Sequence, residues 1–133
     1  MKIFLICAAI FIAIDVLIVL YVVWRRMRRK ILQKDIDEIQ KVWKDIIRQK
    51  DMRHAIMDAD KLLDHALYLY GYRGNLGNKL KKSAARFSNI NHIWSAHKVR
   101  NNIAHQINYN VDEKTYRTAM MAFKNAFMDL KIF

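Results

Sequence analysis

The run Lys98-Val99-Arg100-Asn101-Asn102-Ile103-Ala104-His105 places an arginine, a polar residue and a histidine at short, fixed spacing. A guanidinium is a permanent cation whose planar fork of donors fits phosphate. An imidazole exchanges a proton near neutral pH without strong tuning. Together they can cleave RNA without a metal. The spacing also sets a geometric condition. Each residue of an α-helix turns by ~100°, so Arg100 and His105 would stand about 140° apart and share no face. Either the helix ends between them or the site is composite.

The elements that must position these residues are all helical. The chain has 133 residues, no proline and only three glycines, and it is rich in Ala, Leu, Ile, Met and Lys. That composition suits helices and offers few of the turns an all-β fold needs. The expected class is all-α: one N-terminal transmembrane helix continuing into a cytoplasmic up-and-down bundle of four or five helices. Three parts follow: residues 1–24 as the membrane helix, 25–50 as a basic juxtamembrane stretch with a linking amphipathic helix, and 51–133 as the bundle.

Ile3 to Trp24 is apolar except for Asp15, a run of the ~20 residues that cross a hydrocarbon core as a helix. It is too long for a cleaved signal peptide and ends in aromatics and arginines. Tyr21, Trp24, Arg25, Arg26, Arg28 and Arg29 suit the membrane interface, in contact with lipid. Basic flanks stay in the cytoplasm, so the N-terminus is expected outside and the remainder inside. Asp15, mid-span, is either an assembly contact with a second membrane helix or a tolerated polar residue. The partner in the first case is unidentified.

Beyond the arginines, Leu32, Ile36, Ile39, Trp43 and Ile46 recur at heptad spacing. This seam either packs on the domain or pairs with its copy in a dimer. Ala55, Ile56, Ala59, Leu62, Leu63, Ala66 and Leu67 predict an amphipathic helix from Met52 to Tyr70, with Gly71 as its left-handed cap. Gly71, Gly74 and Gly77 are expected to form turns. A short helix then follows with Lys79, Lys81, Lys82 and Arg86 outward. Asn89 or Asn91 caps the helix that carries the motif, and Asp112 caps the last one.

The formal charge of +12 and pI of about 10.0 suit polyanionic partners, nucleic acid or acidic lipid. A single cysteine, Cys7, excludes an internal disulfide and a multi-cysteine zinc site and reads as inert packing. The five histidines form no convincing zinc set, and the glycines lack the spacing of a phosphate loop. No cofactor is implied.

Arg100-Asn101-Asn102-Ile103-Ala104-His105 resembles the Arg-polar-x-x-x-His signature of HEPN domains, small all-α bundles that include many metal-independent endoribonucleases of toxin, antiviral and RNA-processing systems. Asp60-Lys61-Leu62-Leu63-Asp64-His65-Ala66-Leu67, then Trp94 and His97-Lys98, add to the likeness, which covers Met52 to Phe133. The resemblance implies His105 as general base or acid, Arg100 holding the scissile phosphate, Asn101 orienting phosphate or imidazole, and Lys98 adding positive charge in RNA binding. It also implies a homodimer whose two motifs meet across a cleft. Non-catalytic members of the family act as binding modules. On that alternative Arg100 pairs with Asp60 or Asp64, and the motif is architectural in a membrane-tethered adaptor.

Overall fold

The computed structural model describes residues 1–27 and 31–133, and for residues 2, 3, 5, 26 and 27 the backbone alone. Among these the chain is helical throughout, without strands. The helices are α1 (Lys2–Met27), α2 (Gln33–Ile46), α3 (Met52–Leu69), α4 (Leu76–Ser83), α5 (Ile90–His105) and α6 (Glu113–Asp129), with a 3₁₀ turn at Ala84–Arg86. They form two compact units, residues 1–30 and residues 31–133.

In the first unit, α1 contains one stretch, Ile6–Arg25, long and apolar enough to cross a membrane, with none of it buried. By length and composition this stretch is a candidate membrane span. Tyr21, Trp24 and Arg25 are exposed near its C-terminal end, with the Tyr21 and Trp24 rings 6.4 Å apart. Asp15 is exposed as well. Of the other residues expected at the interface, Arg28 and Arg29 lie outside the described residues, as does the Arg26 side chain. The continuous helix expected from the membrane into the domain is interrupted. Ile31 and Leu32 are not helical, and Leu32 is extended (φ −72°, ψ 148°).

In the second unit, α3 is the central element and packs against α2, α4, α5 and α6, with α5 and α6 also packed together. The apolar period expected for α3 is its buried face: Ala55, Ile56, Ala59, Leu63, Ala66 and Leu67 are fully enclosed. Of the two fates open to the heptad seam, packing on the domain is the one observed. Ile39, Trp43 and Ile46 join the same core as α3 and α6, while Leu32, expected in the seam, is 62% exposed because it precedes the helix. Trp43 meets Phe127 edge-on at 5.4 Å, and Phe133 closes the aromatic group against both.

Two helix ends use the same device. After α3, Gly71 is left-handed (φ 89°), and the Tyr72 and Gly71 N–H groups return to the carbonyls of Leu67 and Tyr68. After α6, Lys131 takes that conformation (φ 61°), and the Ile132 and Lys131 N–H groups return to Phe127 and Met128. Both are Schellman caps, and the buried Tyr72 and Ile132 supply the apolar contact that accompanies them. Gly77, expected in a turn, lies inside α4. A Cβ there would come 3.4 Å from Trp94 Cη2, so the indole of α5 lies against this residue.

Candidate functional site

Asn89 starts α5 by accepting a hydrogen bond from the His92 N–H (3.2 Å), and the helix then runs without a break to His105. The helix therefore does not end between Arg100 and His105, and the two residues separate as the helical turn requires. Arg100 and Asn101 point into a cleft of about 510 Å³ between α3, the start of α4 and α5. His105 is exposed at the C-terminal end of α5 and does not line that cleft. Lys98 is also exposed and lies off the cleft.

What faces Arg100 instead is a buried carboxylate. Asp60, on α3, is 3% exposed. Its Oδ1 meets His97 Nδ1 at 2.8 Å, and its Oδ2 lies 3.3 Å from Arg100 Nε. The arginine contact is an ion contact without hydrogen-bond alignment, because Arg100 Nε is buried yet has no aligned acceptor. Arg100 Nη1 donates to Asn101 Oδ1 at 3.0 Å. His97, Arg100 and Asn101 stand at i, i+3 and i+4, so a single face of α5 carries all three toward α3. A buried carboxylate is tolerable only with such partners, since an unpaired one would cost several kcal/mol, of the order of 3–5.

Asp64, one turn after Asp60, was the other partner considered for Arg100. It is taken by Lys79, whose Nζ lies 2.8 Å from Asp64 Oδ1 and 3.1 Å from the Asp64 carbonyl oxygen. Lys79, expected outward, is in fact 4% exposed. Its charge is met inside the domain by that carboxylate, and its stem packs along the apolar surface. Arg86, likewise expected outward, turns over the Tyr70 ring (4.6 Å) and donates from Nε to Tyr72 Oη at 2.9 Å. Burial raises the Tyr70 hydroxyl's pKa above the usual tyrosine value, against the pull of Arg86; that hydroxyl donates to the Leu130 carbonyl.

The His97 ring is fixed on two sides. Asp60 holds Nδ1, and Trp94, one turn earlier on α5, meets the ring edge-on at 6.0 Å. The Trp94 indole in turn lies against Gly77 of α4. His97, which sequence reasoning read as a surface or half-buried histidine beside the motif, lines the cleft, as do Asn75, Leu76 and Gly77 at the start of α4, to which it gave no role in the site. The available signal was the joint spacing of His97, Arg100 and Asn101 on one helix and Asp60 and Asp64 on another.

No group of three or more potential ligands placed to hold a metal ion occurs among the described residues. Set against known proteins, the chain matches no family model, no curated protein and no solved structure.

Proposed function

We propose that the chain is a membrane-anchored HEPN-like protein whose helical bundle lies in the cytoplasm and acts on RNA as a metal-independent endoribonuclease. The observation that carries this reading is the cleft, in which a guanidinium, an amide and a histidine held by a buried carboxylate converge. These are the groups that phosphodiester cleavage needs without a metal: a cation for the charge that develops on phosphorus-bound oxygen, and a proton acceptor for the attacking 2′-hydroxyl. The surroundings suit RNA. From His65 to Val111 the chain has no Asp or Glu, and Arg73, Lys81, Lys82 and Lys98 are exposed, so this part of the surface attracts a polyanion. α1 and the basic residues after it tether the domain to anionic lipid, and confinement to a plane favours a homodimer.

A second reading is favoured by the Asp60–Arg100 contact. There the cluster is architectural, and the chain is a non-catalytic, membrane-tethered adaptor that binds RNA or protein. The test is incubation of the full chain, in lipid nanodiscs, with end-labelled RNA in EDTA. The endoribonuclease reading expects fragments ending in 2′,3′-cyclic phosphate. Intact RNA across substrates of varied sequence and structure would leave the adaptor.

A further inference from the structure

We infer that the proton-transfer group of the cleft is His97, oriented by Asp60, and that His105 is dispensable for the chemistry within one chain. The inference rests on the endoribonuclease reading and names the residue that would perform it.

Three observations converge on His97. First, Asp60 Oδ1 at 2.8 Å from Nδ1 makes that nitrogen the one that carries hydrogen, since a carboxylate accepts. In the neutral ring Nε2 then carries the lone pair, and it has no hydrogen-bond partner among the described residues. A carboxylate that holds one imidazole nitrogen both orients the ring and stabilises the imidazolium that forms when the other nitrogen takes a proton. Second, the ring lines the cleft while its side chain is only 15% exposed, and Trp94 walls it on one side. A ring held in this way loses little freedom when it acts. Third, Arg100 is its neighbour on the same face. The guanidinium balances Asp60 through Nε and sends Nη1 toward Asn101, so it stands between the buried carboxylate and the open cleft. His105 has none of these features: it is exposed, outside the cleft, and without a hydrogen bond among the described residues.

The step balances without an added reagent. The 2′-hydroxyl proton passes to His97 Nε2 as O2′ forms a bond to phosphorus and the P–O5′ bond breaks. The departing O5′ takes a proton from water, and the imidazolium returns its own to the hydroxide so formed. The products are a 2′,3′-cyclic phosphate and a 5′-hydroxyl. Arg100 stabilises the charge on the non-bridging oxygens. Asp60 is a positioning residue, and the other charged groups around the ring are Lys61 and Asp64 from α3, with Lys79 of α4 behind Asp64.

The experiment compares four full-length chains in nanodiscs on one RNA in EDTA: wild type, His97→Asn, His97→Ala and His105→Ala. Asparagine retains a donor to Asp60 but has no nitrogen able to take the proton. We expect His97→Asn to lose at least about 100-fold in rate, the usual contribution of a general base, and His105→Ala to remain within about threefold of wild type, a difference of under 1 kcal/mol in barrier. Added imidazole should restore part of the activity of His97→Ala, which a merely structural role would not allow. Asp60→Asn should displace the acid limb of the kcat/KM profile against pH. Full activity of His97→Asn overturns the assignment while leaving the endoribonuclease reading in place. If His97→Asn is unfolded, imidazole rescue of His97→Ala decides, and absence of rescue overturns the assignment. A wild type that cleaves no RNA removes both.

Discussion

The two ends of the Arg100–His105 run behave differently although they lie on one helix. Arg100 is turned toward α3, beside a carboxylate that is 3% exposed and a histidine fixed by it. His105 stands in solvent at the last position of α5. The difference teaches that a linear motif and a site are separate things. Five residues of helix carry a side chain to another face, whereas three or four bring it back to the same one. The site is therefore read along α5 as His97, Arg100 and Asn101.

The largest break in this contrast should come from Asp60→Ala, which leaves Arg100 and the His97 ring without their carboxylate partner. A loss of about 3 kcal/mol in urea unfolding is expected, as for removal of one partner from a buried ion pair. Arg100→Ala removes the cation from the half-exposed side of the same cluster and should cost less, about 1–2 kcal/mol, since Asp60 retains His97. Asn89→Ala, which removes the cap of the helix that carries both ends, should cost about 1 kcal/mol by thermal melting. His105→Ala should change stability by no more than about 0.5 kcal/mol, as an exposed position does.

Exposed carboxylates sharpen the contrast further. Asp51 and Asp112 cap α3 and α6; the His54 and Arg53 N–H bonds hold the Asp51 pKa below the ordinary aspartate value of 3.8, and hydrogen bonding from Thr115, through its side chain and then its N–H, does the same for Asp112. A lowered carboxylate pKa gives stability that is present above pH 3.8 and is lost as pH falls through the folded-state value. Asp112→Asn should therefore flatten the loss of stability on the acid side of pH 4 in a melting series. It should have little effect at neutral pH, where asparagine caps comparably.

Much of the fold was legible because it depends on local rules. The all-helical class, the apolar period of α3, the Gly71 cap and the Asn89 and Asp112 caps all follow from neighbours close in sequence. Asp60 was within reach for the same reason, as one of two carboxylates a turn apart on α3. What escaped depends on residues distant in sequence. Lys79 sits inside the domain only because Asp64, 15 residues earlier, is there to meet it. Gly77 lies within α4 under Trp94 and not in a turn. The Lys131 cap carries no glycine, and only its backbone angle reveals it. His97 acquires its importance from Asp60, 37 residues away, and a histidine considered alone is more often just a half-buried side chain.

The measurement that tests the account most directly is a pair of double-mutant cycles, Arg100 with Asp60 and Arg100 with His105, read by urea unfolding of the full chain. The account predicts a coupling above about 1 kcal/mol for the first pair and additivity within about 0.5 kcal/mol for the second. Additivity for Arg100 with Asp60 together with coupling for Arg100 with His105 would contradict it and return the site to the linear motif.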